Sequence, residues 1–536
     1  MRGLLRSLLT SSYITVASVC KVYQVSHLAR HLAAASIQHQ AVTMFYFFAF
    51  VSMVAFISRL VYGQSTAHLT STTASVASNS SLTTHPIPSG IATRDTFTIR
   101  VRESGGGEWQ RIEAFEVSLA EVNITTGQSA LHKTSVASFD ADAPVDVSIS
   151  YHLGNIGSAA IRPLSYGIIP DVKEDSVSFS LDQPRNIVVQ VNNDIFDCLH
   201  LFTNAIANDA PTSNKTDVIY FGPGHHRVPG GNLNVTSGQT VYIAGGAVVD
   251  ANINFYKTAG ASLRGHGALR GPGGAVNIEW SADVLIEDVM LLGPSHSIQP
   301  AVSENVTIRG IRSLSSRAWG DGIDVYCSTN VLIQNIFMRN SDDCIAIYNH
   351  RYNYYGDSRN ITVEQASLWA DLAHPINVGT HGNSDSPETI DGLIFRDIDV
   401  LDHREWQVDY QGCLALNAGD SNLIKNVLVD GFRIEDIRRG QIINMRVMFN
   451  SKYNTSPGRG IAGVIIKDMS YIGDSASMSI LSGYSPDATI EYVEFQNLTI
   501  NGQVISDSMP KHGWYTVSDF VPAFTDDNVF NLTFVE

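Results

Sequence analysis

VTIRGIRSLSSRAWGDGIDVYCSTNVLIQNIFMRNSDDCI, residues 306–345, opens on Val306-Thr-Ile308 and returns to the same short pattern at Val331-Leu-Ile333. Ile361-Thr-Val363 takes it up again. Equivalent positions are Val284, Val306, Val331, Ile361, Leu393, Val427, Val464 and Val493, at intervals of 22, 25, 30, 32, 34, 37 and 29 residues. One strand recurring every 22 or more residues, with no helical periodicity between, predicts a right-handed parallel β-helix. Inward Val and Ile then stack from coil to coil, and insertions lengthen the turns without changing the phase of the strands. Four-stranded blades and amphipathic helices, which a propeller or an α/β barrel needs, are absent from the pattern.

Two acidic motifs lie within this stretch, Trp319-Gly-Asp-Gly-Ile-Asp324 and Ser341-Asp-Asp-Cys-Ile345. Asp321 and Asp342 are 21 residues apart, close to one coil, so the spacing predicts carboxylates on successive coils about 4.8 Å apart. Aspartates are common at solenoid turns. A doubled Asp-Asp at a repeat-length offset from a third Asp argues instead for a reaction site, where crowding raises one carboxyl pKa and leaves another low. A raised acid beside a lowered base is what hydrolysis of a glycosidic bond requires.

Around this core the chain divides by composition. Residues 1–63 carry five basic residues and no acid, and include the apolar run MFYFFAFVSMVAFIS at 44–58, followed by Val61-Tyr-Gly63. That run has the length of a signal peptide and is too short for a membrane span. Residues 64–93 are Ser/Thr-rich and aperiodic, which predicts a linker. From 94 to 195, short alternating runs such as Val145–Tyr151, Ser176–Leu181 and Asn186–Val191, punctuated by Gly, Pro and Asn, predict an antiparallel β-sandwich. Residues 196–536 form the expected β-helix domain, so the fold class is all-β, a β-sandwich followed by a right-handed parallel β-helix.

The net charge of −17 excludes nucleic acid and anionic membranes as partners, since both need clustered Lys and Arg. Nine Asn-x-Ser/Thr sequons, at Asn79, Asn123, Asn214, Asn234, Asn305, Asn360, Asn454, Asn497 and Asn531, behind an apolar leader predict a secreted glycoprotein. Four cysteines beyond the leader, Cys198, Cys327, Cys344 and Cys413, permit up to two disulfides. No Cys-x-x-Cys or His-rich cluster indicates a metal, and the expected chemistry needs no cofactor. A monomer acting on a polysaccharide is the expected state.

The motifs resemble those of family 28 of the glycoside hydrolases, the polygalacturonases. Gly320-Asp-Gly-Ile-Asp324 is similar to that family's N-T-D-G-[IF]-D, with Trp319-Gly320 in place of Asn-Thr. Asp342-Asp-Cys-Ile-Ala346 matches D-D-C-[IV]-[AS] in full, and Ala373-His-Pro-Ile-Asn-Val-Gly-Thr380 is similar to G-H-G-L-S-I-G-S. The resemblance implies an inverting hydrolase in which Asp342 is the acid, Asp321 and Asp343 activate water, and His374, not His381, tunes the acid. It departs at the R-I-K motif that clamps galacturonate. The equivalent here is Gly412-Cys-Leu-Ala-Leu-Asn417, with no cation, and Arg446 in a later coil is the candidate replacement. A second resemblance, on Ile161-Arg-Pro-Leu-Ser165, Tyr220-Phe-Gly-Pro-Gly224 and Val241-Tyr-Ile-Ala-Gly-Gly246, is to family 49, the dextranases and isopullulanases, which cut neutral α-glucans.

Other substrate-binding candidates are Asp324 and the insertion after the Asp pair, where Tyr348, His350, Arg351, Tyr352, Tyr354 and Tyr355 offer aromatic faces and charge to sugars. Two further readings stay open: a polysaccharide lyase holding Ca²⁺ on Asp321, Asp324, Asp342 and Asp343, and a glycan-binding protein without turnover.

Overall fold

The computed structural model of the chain describes residues 81–536 apart from 124, 127, 272–273, 294–295 and 518–522. The signal-like run 44–58 lies outside them. Among the described residues, no helix is long and apolar enough to cross a membrane.

Two sheets form the N-terminal part. Gln110–Ile112, Phe97–Glu103, Val145–Tyr151, Ser176–Leu181 and Asp171–Val172 make one, fully antiparallel. The other holds Leu82–Thr84, Phe115–Asn123, Gln128–Ala141, Ala159–Arg162, Asn186–Val191 and Leu199–Asn204. Alternation puts Ile99, Val101, Val147, Ile149 and Val177 of the first against Phe139, Ile187, Val189 and Leu201 of the second in one core. The expected boundaries shift at both ends. Leu82–Thr84, placed in the linker by composition, pairs with Phe139–Ala141. Leu199–Asn204, placed in the β-helix, runs parallel to Ser135–Asp140, so the sheet is mixed. Neither strand alternates in polarity: Leu199–Asn204 is buried on both faces, which erases the period-two signal.

From Val218 onward the described strands, except the separate pair Gly440–Gln441 and Ala476–Ser477, stack in a 28-stranded array that is parallel apart from the pairing of Leu498–Ile500 with Gln503–Ile505. It is a right-handed parallel β-helix, the hand that parallel crossovers take. Register pairs Val284 with Val306, then Val331, Ile361, Leu393, Val427, Val464 and Val493 in turn. Every position of the sequence repeat therefore falls in one ladder of the core. Outside the core a second ladder runs through residues near the starts of successive strands. Asn330 Nδ2 donates to Asn305 Oδ1 and Asn360 Nδ2 to Asn330 Oδ1, each at 3.1 Å, with all three residues at positive φ near 55°.

The sandwich packs on the β-helix through Phe115, Val136, Val188 and Phe202 against Met290, Leu314, Phe337 and Trp369. A charged pair is sealed into this interface. Arg339 and Asp371 are both 0% exposed and meet through two hydrogen bonds of 3.0 and 3.1 Å, and the guanidinium lies 3.9 Å from the Trp369 ring centre. Arg339 also donates to the Ile195 carbonyl at 2.7 Å, tying the end of the sandwich to the coils. Among the described residues, Cys198, Cys327, Cys344 and Cys413 are buried and no disulfide joins them.

Candidate active site

Strands Asp321–Tyr326, Ile345–Tyr348, Ile376–Gly379, Leu414–Ala418 and Ile443–Val447 stack as one face of the β-helix. Ile323, Ile345, Ile376, Leu414 and Ile443 point into the core. The intervening residues Asp324, Ala346, Asn377, Ala415 and Asn444 stand in register on the outer side. The coil offset is 22, not the 21 separating Asp321 from Asp342: Ile323 pairs with Ile345, so Asp321 is level with Asp343, and Gly322 N–H donates to the Asp343 carbonyl at 2.8 Å. Asp342 sits one residue earlier, in the turn, where it enters the same space from another direction.

Asp343 is nearly buried and saturated with donors. Its Oδ1 takes His374 Nδ1 at 2.7 Å and the His374 backbone N–H at 3.0 Å, while Oδ2 takes Asn377 Nδ2 at 2.8 Å and Tyr348 OH at 3.1 Å. Burial pushes its pKa up, but the His374 charge and the bonds from His374 and Asn377 outweigh it and hold the carboxyl below its usual range. Asp342, partly exposed, accepts the Asp343 backbone N–H at 3.1 Å. Burial and the adjacent Asp343 charge push it well above the usual range. Asp321, also partly exposed, is raised by burial and by Asp324, Asp342 and Asp343, and shares a hydrogen bond with Asp324. Two carboxyls with raised pKa thus surround one whose pKa is lowered.

The cleft that holds them, about 490 Å³, is lined by Trp319, Asp321, Tyr326, Asp342, Asp343, Tyr348, Arg351, Tyr352, His381, Tyr410, Lys452 and Tyr453. It runs on past Arg351, Tyr352 and His381 into a neighbouring cleft that reaches His350 and Asp420. A larger cavity of about 770 Å³ lies on another face, with Glu494 its only carboxylate among the described lining residues.

Several expected site residues take other places. His374 is fully buried and absent from the cleft wall. It meets Asp343 rather than Asp342, its Nε2 bonds the Tyr410 carbonyl at 2.8 Å, and burial opposed by the stronger pull of Asp343 leaves its pKa raised. Asp324 lies beneath the cleft and accepts Tyr326 OH at 2.7 Å. Arg446 does not reach the cleft. Its Nη1 is 2.9 Å from the Asp409 carbonyl and 3.4 Å from the Asp409 carboxylate. Leu414 and Leu416 face the core, so the outer side of the strand replacing the R-I-K motif presents Ala415 and Asn417. Tyr354 packs against Tyr326 and Trp280, and Tyr355 stacks on His350 at 4.3 Å. Arg351 and Tyr348 line the cleft.

Trp319, Tyr410, Lys452, Tyr453 and His381 were not among the expected site residues. Trp319 is 70% exposed at the cleft mouth. Tyr410 and Tyr453 stack at 4.6 Å, and Lys452 Nζ lies 2.9 Å from Gln407 Oε1. His381 stands edge-on to Tyr348 at 5.0 Å, and burial beside Arg351 lowers its pKa to about 4. Lys452 and Tyr453 come from the longest interval of the repeat, 37 residues between Val427 and Val464, and that lengthening was the available signal.

The sequons are unequal as attachment sites. Asn454 is buried and its amide nitrogen bonds the Thr380 carbonyl, leaving no room for a glycan in the folded chain. Asn305 donates its amide nitrogen to Asp283 Oδ1 at 3.1 Å, Asn360 to Asn330 Oδ1 at 3.1 Å and Asn497 to Asp468 Oδ1 at 2.7 Å. The side-chain oxygen of Asn123 caps its own turn and that of Asn214 accepts Tyr220 N–H, whereas Asn79 lies outside the described residues.

Fold and cleft together define the class as a parallel β-helix with a carboxylate-centred cleft of the kind found in glycoside hydrolases. Residues 226–405 match the model of glycosyl hydrolases family 28, so the resemblance read from the Asp motifs is borne out over the segment that carries them. The chain is similar to a probable endopolygalacturonase D of Emericella nidulans, 24% identical over 189 residues, 34% of this chain and 32% of that one. Its counterpart from Neosartorya fischeri is 26% identical over 191 residues, 34% and 35% of the two chains. The chain thus matches about a third of the length of these curated relatives. In fold it is similar to Dex49A from Penicillium minioluteum, with a TM-score of 0.55 at 12% identity over 84% of this chain and 96% of that one, and this likeness includes the sandwich.

Proposed function

We propose that this chain is a secreted, polygalacturonase-like glycoside hydrolase that cleaves a polysaccharide with inversion at the anomeric carbon. The observation that carries the reading is the convergence of Asp321, Asp342 and Asp343 in one aromatic-walled cleft, where Asp343 alone is held by His374, Asn377 and Tyr348 as donors and the surroundings shift its pKa down and those of the other two up. In the proposed mechanism Asp342, partly exposed and holding its proton, protonates the glycosidic oxygen as the bond to the leaving sugar breaks. Asp343, held anionic by His374 and Asn377, takes a proton from water attacking the opposite face. Asp321, hydrogen-bonded with Asp324, orients that water. Trp319, Tyr352 and Tyr453 offer faces for sugar rings. His374 touches no substrate and acts as a positioning residue.

Arg351 and Lys452 support an acidic sugar in the cleft, because they are the cations among its described lining residues. Ala415 and Asn417, standing on the outer side where the R-I-K motif has Arg and Lys, favour a second reading, a neutral α-glucan. Reducing-end release from polygalacturonate and dextran, by the wild type and Asp342→Asn, tests both. Hydrolysis of either by the wild type and not the variant supports the mechanism and selects the sugar. Unsaturated ends, or turnover that survives Asp342→Asn, remove it.

A further inference from the structure

Where the sandwich meets the first coils, two imidazoles converge on one carboxylate oxygen. His85 Nε2 and His266 Nδ1 each lie 2.8 Å from Asp140 Oδ2, and the three candidate ligand atoms are all within 4.8 Å of one another. They come from separate parts of the chain: His85 follows strand Leu82–Thr84, Asp140 is in Gln128–Ala141, and His266 is in the turn between Ser262–Arg264 and Ala268–Arg270. Asp140 and His266 are buried, and His85 is partly exposed, its side chain at 18%. None of the three lines the acidic cleft.

The surroundings hold these side chains in place. Asn204 Nδ2 donates to Asp140 Oδ1 at 2.8 Å, which leaves Oδ2 aimed between the imidazoles. The far nitrogen of His266, Nε2, faces Asp288 Oδ2 at 3.8 Å. A carboxylate behind the outer nitrogen of an imidazole is the arrangement that orients metal-bound histidines. Gly245 lies flat beneath the His85 ring, where a Cβ would come within 2.3 Å of Cε1. A polar cleft lined by Asn204, His266 and Asp288 opens beside the cluster and gives a cation a way in.

We propose that His85, Asp140 and His266 form a structural site for a divalent transition-metal cation of the Zn²⁺ type. Two imidazole nitrogens and one carboxylate oxygen suit Zn²⁺, with water as the fourth ligand, whereas Ca²⁺ and Mg²⁺ select all-oxygen cages. The bound cation clips the N-terminal strand and the sandwich onto the solenoid, so its binding free energy adds to folding. Sequence spacing conceals the site, because its ligands are 55 and 126 residues apart from Asp140.

The test is calorimetric titration of Zn²⁺ into the chelator-treated full chain, with thermal melts with and without Zn²⁺, on the wild type, His85→Gln, His266→Ala and Asp288→Asn. The wild type takes up one equivalent and its melting midpoint rises with Zn²⁺. His85→Gln and His266→Ala lose both responses, and Asp288→Asn binds about 10–100-fold more weakly. His85 is the most exposed of the three, so His85→Gln keeps the test valid if His266→Ala fails to fold. Co²⁺ in place of Zn²⁺ gives visible d–d absorption in the wild type that His85→Gln lacks. A wild type that binds no more Zn²⁺ than His85→Gln, or whose midpoint responds equally in both, overturns the site and leaves an ion-paired cluster.

Discussion

Replacing His374 separates the anionic carboxylate from what keeps it anionic. In the wild type, His374 supplies Asp343 with a hydrogen bond of 2.7 Å and a positive charge, in a site where the two side chains are 0% and 5% exposed. His374→Ala keeps the backbone N–H, Asn377 and Tyr348 as donors but leaves burial, the largest upward influence on Asp343, without its strongest opponent. A hydrogen bond to a charged group contributes about 1.5–3 kcal/mol. At 1.36 kcal/mol per unit this moves the Asp343 pKa up by about 1–2 units. The rising acid limb of kcat/KM, which follows ionisation of the base, should move to higher pH by that amount. His374→Asn places an amide donor near Nδ1 without the charge and should recover part of the shift. Breaking a buried pair also costs about 3–5 kcal/mol of stability, readable by urea unfolding. Because the His374 pKa is raised, its share of stability is complete below the unpaired value of 6.5 and is lost as pH climbs through the folded value. The stability difference between wild type and His374→Ala therefore narrows on the alkaline side. An acid limb that stays in place in a folded His374→Ala, with turnover merely lowered, would refute the assignment of Asp343 as the base.

Asp342→Asn should lower turnover by about 10²–10⁴-fold with substrate binding kept. Since the Asp342 pKa is raised, the wild type loses stability as pH rises from 3.8 through the folded value, and Asp342→Asn, lacking that slope, should match or exceed it at neutral pH in thermal melts. Arg351→Ala should reduce kcat/KM on polygalacturonate by about 10–100-fold, the worth of a charge-assisted hydrogen bond, and leave dextran hydrolysis unchanged. Equal loss on both polymers would remove it from carboxylate recognition. Asp371→Asn strands the buried Arg339 and should cost about 3–5 kcal/mol in urea unfolding, whereas a cost under 1 kcal/mol would show that the pair does not hold the sandwich to the solenoid.

The solenoid was legible because its ladder, Leu393 apart, is written in β-branched residues that keep phase through every insertion, so Val306, Val331 and Ile361 stack in the sequence repeat and in space. The Asp motifs were legible for the same reason, but only to within a residue. A 21-residue separation suggested that Asp321 and Asp342 share a level, and the turn before Ile345 shifts the register so that Asp343 does. The segment Gly412–Asn417 shows in sequence that no cation stands at the R-I-K position, but spacing alone does not say which phase of the strand faces inward, and the core membership of Leu414 and Leu416 settles it. Charge alone singles out Arg446 in the sequence, yet Asp409, brought over it by the short turn Val408–Tyr410, pairs with it. The far wall of the cleft, Tyr410, Lys452 and Tyr453, comes from long turns with no repeating pattern, where the sequence shows an insertion and not its direction.

The most direct test of the central claim is early-time NMR of the anomeric proton released when the wild type cuts its preferred polymer. One carboxyl donating to the leaving oxygen while another activates water on the opposite face requires the first-formed reducing end to have inverted configuration, before mutarotation blurs it. Inverted product, absent with Asp342→Asn, is the expected result. Retained configuration would mean a covalent glycosyl intermediate on one of the three aspartates and would contradict the account.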